Sequence, residues 1–250
     1  MSGHSHWAGI KHKKEKTDKQ KGKAFSRVSK QIMAAVRKGG KDPKNNLELE
    51  YAIEAARGVN MPKDTIERAI ARATGDDGAS RLETCRYEGY GPGGVAIMVD
   101  ALTDNRNRTT PHVRKSFVDH GGELGATGSV SWTFEMKGLI LVERDSKTED
   151  EVLELALDAG ADDIQQAGSV YEVSCEPRKV KSVREALEKA GLAIESAEVT
   201  MVPKTYVNLD TETGRRVLKL MESLEEDEDV TNVYANFNLP PDLVAELKAE

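Results

Sequence analysis

Lys11, Lys13, Lys14, Lys16, Lys19, Lys21, Lys23 and Arg27 follow one another at intervals of one to four residues, with Trp7 ahead of them and Phe25 among them. Lys30, Arg37, Lys38 and Lys41 continue the run. Cations at this density suit a phosphate backbone. Each neutralised phosphate releases counterion and contributes about 0.9 to the salt slope on duplex DNA, so roughly six contacts dominate affinity without reading sequence. Trp7 is placed to stack on an unpaired base, a contact of about 1–3 kcal/mol. The competing reading of the same residues is a solvated charged tail or helix face, and Phe25 fits a core better than an interface. A second set, Thr103-Asp-Asn-Arg-Asn-Arg-Thr-Thr110, joins an apolar run to a helical one, where free N–H groups and the helix dipole favour an anion that Arg106 and Arg108 would reinforce. Its structural alternative is a loop whose Asp104, Asn105 and Asn107 satisfy their own backbone.

Other chemistry is weakly supported. His4, His6 and His12 share the basic arm, but no carboxylate or cysteine at useful spacing completes a metal site. Gly89-Tyr-Gly91-Pro-Gly93-Gly94 matches G-x-G-x-x-G formally, yet that dinucleotide motif must follow a strand and open a helix, whereas this one precedes a strand and reads as a structural turn. Asp100, Asp104, His112 and His120 could converge as an acid–base cluster, although nothing in their spacing requires it. No nucleophile with a base and no phosphate loop with its lysine stands out, so an enzyme is not expected, and neither is a cofactor, a metal or a small-molecule substrate. Cys85 and Cys175, the two cysteines, lie ninety positions apart, which suits a reducing cytosol and two small buried hydrophobes.

The arm belongs to a polarised chain. Net charge is −7 over 250 residues. Residues 1–41 nevertheless carry twelve Lys and Arg against Glu15 and Asp18, for a net of +10, and the first 80 residues stand at +7, leaving −14 on the remaining 170. Such a distribution couples a basic binding surface to an acidic body that repels nucleic acid elsewhere. With 38% hydrophobic residues the body should fold. No run approaches the roughly 20 apolar residues of a membrane span and the basic N-terminus lacks a signal peptide's apolar segment, so a cytoplasmic protein without a membrane partner is expected.

Elements must position these residues. From Ser2 to Lys23 only Trp7, Ala8 and Ile10 are appreciably apolar, as in an exposed arm. Phe25, Val28, Ile32 and Val36 then form a helical stripe ending at Gly39-Gly40, Leu47 to Ala56 predict a second helix stopped by Gly58, and Pro62 opens a third that runs to Gly75. Val95–Ala101 predicts a buried strand and Pro111–His120 a helix capped by Thr110. Strand-like Ser129–Glu135 and Leu139–Glu143 flank Met136-Lys137-Gly138 as a hairpin, Thr148-x-x-Glu151 is a capping box, and residues 138–202 read β-α-β-β-α-β, a ferredoxin-like unit. Val217, Met221 and Leu224 mark a late helix and Val233, Ala235 and Phe237 a last strand, while Glu225–Asp229 is a bare acidic run. The expected class is α+β in three domains: a basic arm plus three-helix domain over 1–80, a discontinuous α+β domain over 81–130 with 207–250, and a ferredoxin-like domain over 131–206 inserted in it.

Gly3-His-Ser-His-Trp7-Ala, Ile10-Lys-His-Lys-Lys, Gly89-Tyr-Gly-Pro-Gly-Gly-Val95, Leu102-Thr-Asp-Asn-Arg-Asn-Arg-Thr109 and Gly125-x-x-Gly128-Ser-Val, in this order and spanning nearly the whole chain, resemble the YebC/PmpR family of probable transcriptional regulatory proteins. His6 stands where that family usually has lysine. The resemblance implies a cytoplasmic, three-domain protein described as a DNA-binding regulator, in a family that also includes a mitochondrial translational activator and members linked to ribosomes and to elongation through proline runs. It carries over no catalytic residues. The expected partner is therefore DNA, or ribosomal or transfer RNA on the ribosome, met through Trp7, Lys11, Lys13, Lys14, Lys16, Lys19, Lys21, Lys23, Arg27 and Lys30, with the Arg106/Arg108 loop as a second contact. A phosphate-handling enzyme at that loop is the remote alternative.

Overall fold

A computed structural model describes residues 18–75, 82–144, 147–167 and 170–249. Within them the chain forms two compact units, one drawn from residues up to 132 together with 209–235, the other from 133–208 together with 236–249. The arm residues Trp7, Lys11, Lys13, Lys14 and Lys16 lie outside the described residues.

The first unit opens with three helices, α1 (Asp18–Gly39), α2 (Leu47–Gly58) and α3 (Lys63–Thr74). Their apolar stripes meet as expected from the periodicity, with Val28, Ile32, Val36, Leu49, Ala56, Ile66 and Ala69 buried together and Phe25 partly buried against them. Asn46 sets the angle between α1 and α2. Its Oδ1 caps α2 by accepting from Leu49 N at 3.2 Å, while its Nδ2 donates to the Ala35 and Gly40 carbonyls at 2.7 Å. A Cβ at Gly39 would stand 2.7 Å from that carboxamide, so glycine is required there.

The same unit contains the sheet β3-β1-β2-β9, antiparallel throughout, built from β1 (Glu83–Tyr90), β2 (Ala96–Thr103), β3 (Glu123–Leu124) and β9 (Val230–Ala235), with α4 (Arg106–Asp119) and α7 (Thr211–Glu226) supplying Val113, Phe117, Val217, Leu220 and Met221 to its core. Strand β9 pairs with β2 across more than 130 positions, Ile97 opposite Ala235 and Val99 opposite Val233. Strand β1 was not foreseen, because its alternation Cys85-Arg86-Tyr87-Glu88 is short and runs into Gly89. Residues 91–95 join two antiparallel strands, with Gly93 and Gly94 at φ +73° and +76°, so the glycine-rich segment is a hairpin turn and no helix follows it. Helix α4 starts at Arg106 rather than Pro111. Asn105 Oδ1 accepts from Arg108 N at 3.2 Å and is the cap in place of Thr110, and Pro111 sits inside the helix, where its missing N–H costs one backbone bond.

The second unit is ferredoxin-like: β4 (Phe134–Glu143), α5 (Glu149–Asp158), β5 (Asp163–Ala167), β6 (Val170–Cys175), α6 (Val180–Lys189) and β7 (Ile194–Pro203) give an antiparallel sheet of order β5-β6-β4-β7. The Thr148/Glu151 capping box is formed, with Glu151 Oε2 accepting from Thr148 N at 2.8 Å. The expected hairpin at Met136–Gly138 is absent; β4 runs unbroken through it. Gly138 marks close helix packing instead, since a Cβ there would run into Val180 Cγ2 and stand 2.8 Å from Cys175 Sγ. Segment 237–249, expected with the discontinuous domain, lies in this unit, where β8 (Val207–Asn208) and β10 (Phe237–Asn238) pair in parallel ahead of α8 (Pro241–Ala249). No described helix is long and apolar enough to cross a membrane.

Gly138→Ala is expected to destabilise by roughly 1–3 kcal/mol, because the buried side chains of Val180 on α6 and of Cys175 on β6 stand where the added methyl would go. Thermal unfolding of the full chain measures this, and an unchanged midpoint would show that α6 lifts off β4 freely.

Candidate nucleic-acid interface

One carboxylate organises the face that carries Arg108. Asp229 is 7% exposed, and its Oδ2 accepts from Arg108 Nη2 at 2.8 Å, Thr109 Oγ1 at 2.7 Å and Thr103 Oγ1 at 3.1 Å. Its Oδ1 faces Lys30 Nζ at 3.1 Å, and its carbonyl accepts from Leu102 N at 2.8 Å. Burial alone would push this carboxyl up; the bonds from Arg108, Thr109 and Lys30 outweigh it and hold it down at about 2. Arg108 is raised in return, by its bonds to Asp229 and then to Asp104, the latter 2.9 Å away. The acidic run before β9 is thus a set of placed partners. Glu225 pairs with Arg27 at 3.4 Å, Asp227 stands 3.6 Å from His112 Nδ1, the Glu228 carbonyl accepts from Lys30, and Asp229 takes the rest.

The residues expected to meet phosphate are therefore divided. Arg27 and Lys30 are largely buried on α1, Arg27 Nε donating to the Thr231 carbonyl at 3.2 Å, and both face carboxylates of the same unit. Gln31 is likewise taken up, by Asn232 Oδ1 at 2.7 Å. Lys19, Lys21 and Lys23 belong to the backbone of α1, toward its N-terminus. Arg106 is exposed at the start of α4, whereas Arg108 is tied to two carboxylates. Near them opens a cleft of about 650 Å³, lined by Lys30, Arg72 and Arg108, by His112, and by Asp104, Asp227, Glu228 and Asp229. Four carboxylates against three cations make it a poor anion trap.

An enzymatic centre gains nothing from this geometry. Asp100 holds Arg86 through two bonds of 2.7 and 2.9 Å, Asp104 holds Arg108, His112 faces Asp227 and His120 Nδ1 meets the Ser116 carbonyl at 2.8 Å, so the four members of the suggested acid–base cluster have four different partners. Among the described residues no three His, Cys, Asp or Glu are grouped to hold a metal ion.

Sequence reasoning missed a second buried carboxylate. Glu88, 3% exposed, accepts from Gly128 N at 2.8 Å through Oε1, and from Val130 N at 2.8 Å and Ser131 N at 2.7 Å through Oε2, while its own carbonyl accepts from Gly125 N. Burial raises this carboxyl, but the three backbone donors together bring it below its usual range. The Gly125-x-x-Gly128-Ser-Val signature is therefore the loop wrapped around Glu88. A charged residue three positions before the glycine-rich turn that starts at Gly91 was the one legible hint.

Comparison with known proteins places this arrangement. Residues 5–76 match the TACO1/YebC protein N-terminal domain and residues 82–237 the TACO1/YebC second and third domain. The chain belongs to the TACO1/YebC family. It is similar to proteins named as probable transcriptional regulatory proteins: one of Dictyoglomus turgidum is 49% identical over 99% of this chain and 100% of its own length, and one of Geobacter sulfurreducens is 49% identical over 96% of each. The crystal structure of a conserved hypothetical protein of Aquifex aeolicus, 48% identical, superposes with a TM-score of 0.81 over 94% of this chain and 97% of that one. Within the matched residues, Thr103, Arg108 and Thr109 of the segment Leu102–Thr109 are the groups that close on Asp229.

Asp229→Ala is expected to destabilise this TACO1/YebC protein by roughly 3 kcal/mol, since it strands Lys30 and two hydroxyls prepared for an anion. The folded-state carboxyls of Asp229 and Glu88 are both depressed, so their contribution is fully present above the ordinary carboxylate range and lost as pH falls below it, for Asp229 as pH approaches about 2. Urea midpoints between pH 2 and 7 should fall steeply in that window for the native chain and less steeply for Asp229→Asn; parallel curves would remove Asp229 as the coupling group.

Proposed function

We propose that this protein is a nucleic-acid-binding regulator that attaches to DNA through its lysine-rich N-terminal segment and is not an enzyme. The observation that carries this reading is the charge distribution, a net of +10 within residues 1–41 of a chain whose net charge is −7. The tertiary structure sharpens it by subtraction. Arg27 and Lys30 serve carboxylates of their own unit, so phosphate contact rests on Lys11, Lys13, Lys14, Lys16, Lys19, Lys21 and Lys23, with Trp7 beside them. Arg106, exposed at the N-terminus of α4, is the cation of the second loop that is open to a ligand. The names of the relatives, probable transcriptional regulatory proteins, point the same way.

One observation favours structured RNA, as on a ribosome, as the second reading. A recognition helix reads duplex DNA with Arg, Asn or Gln side chains presented to the major groove. Arg27, Lys30 and Gln31, the residues of α1 suited to that task, are engaged by Glu225, Asp229, Thr231 and Asn232. Attachment by phosphate without base readout serves folded RNA as readily as DNA.

Replacing Lys11, Lys13, Lys14 and Lys16 by Glu should abolish binding to labelled nucleic acid, and native affinity should drop with a log–log salt slope of roughly 4 or more in magnitude. A salt-insensitive affinity that survives the charge reversal would overturn the reading. Arg106→Ala should weaken binding at an unchanged melting temperature, whereas Arg108→Ala should lower the melting temperature. Crosslinking in cells followed by sequencing of the bound strand decides between promoter DNA and ribosomal RNA.

A further inference from the structure

Two aromatic side chains of the first unit share one anchor. Trp132 Nε1 donates to the Ser129 carbonyl at 3.0 Å and Tyr90 Oη donates to the same oxygen at 2.9 Å, using both of its lone pairs. That oxygen cannot wander. It belongs to the loop whose Gly128, Val130 and Ser131 N–H groups close on the buried Glu88 carboxylate, and Glu88 and Tyr90 are neighbours on β1, where Tyr90 lies opposite Ala96 on one side and Glu123 on the other. The indole is held at its polar edge, yet Trp132 is 67% exposed. A tryptophan normally gains stability by burying its 150–250 Å² of surface. This one is oriented by a hydrogen bond and left open to solvent, while the loop beside it, Gly125-Ala126-Thr127-Gly128, is exposed and small enough for another chain to approach closely.

We propose that Trp132, positioned with Tyr90 on the Ser129 carbonyl, is a stacking platform for an unpaired base of single-stranded nucleic acid. The inference rests on the nucleic-acid-binding reading and adds to it a second contact, with a ligand class. A pre-oriented ring loses little rotamer entropy on binding, and every base offers a π-face, so the platform is tolerant of sequence and demands only that the base be out of a duplex. It complements the lysines. Phosphate contacts attach any nucleic acid, duplex or not, whereas a stacking ring rewards strands with free bases. Tyr90 acts here as a positioning residue, fixing the anchor from the strand side.

Fluorescence and anisotropy test this with the full chain and labelled mixed-sequence 12-mers, single-stranded and duplex. Single strands should quench tryptophan emission in the native protein by more than in Trp132→Ala, whose emission comes from Trp7 alone. Trp132→Ala should weaken single-strand binding by roughly 5- to 150-fold, leave duplex binding and the melting temperature nearly unchanged, and be largely rescued by Trp132→Phe. Tyr90→Phe, which keeps the ring but drops the bond to Ser129, should fall between native and Trp132→Ala. Equal affinity of native and Trp132→Ala proteins for single strands overturns the platform while leaving the lysine-based reading intact, as does an equal loss for duplex and single strand. Failure of the native protein to bind any of the oligonucleotides overturns the reading itself and the platform with it.

Discussion

The buried Asp229 carboxylate is the interaction on which the architecture of the first unit depends. Its partners come from α1, from the end of β2 and from the first turn of α4, 120 to 199 positions away in sequence. A carboxylate this far out of water is tolerable only because two cations and two hydroxyls face it, and each of those groups would be stranded without it. The same contact sets the join between the helical segment and the sheet. Arg27 on the Thr231 carbonyl, Gln31 on Asn232 and Lys30 on Asp229 lay α1 along the segment that leads into β9.

Glu88 repeats the device with backbone donors in place of cations. Three N–H groups of one loop converge on a carboxylate that points inward from β1, and the loop in turn holds the carbonyl that orients Trp132 and Tyr90. Both buried acids therefore act on loops. In each case a polar group in the interior converts a connection that could have been mobile into a fixed surface.

This internal use of charge clarifies what remains outward. Arg27 and Lys30 are neutralised by Glu225 and Asp229 of the acidic run before β9, so these pairs drop out of the field that a distant polyanion meets. What is left of the polarity is the difference between the lysines of residues 11–23 and the negative body.

Much of the fold was legible from spacing. Helical stripes in residues 25–73 and the β-α-β-β-α-β order of residues 138–202 depend on local periodicity and capping, and Thr148/Glu151 declared its helix start outright. Where the reading failed, a distant residue had overruled a local signal. Gly138 looked like a turn but is a strand residue under α6, and Pro111 looked like a helix start but lies past the Asn105 cap. The candidate site divides on the same line. Composition alone determined that the chain is polarised, with its cations crowded ahead of residue 41, because net charge needs no geometry. Only the tertiary structure decided that Arg27, Lys30 and Arg108 serve Glu225 and Asp229, and that Trp132 stands open on a fixed loop, because whether a charge or a ring is free depends on what lies against it in space, and those partners are a hundred residues or more away for every one of the cations.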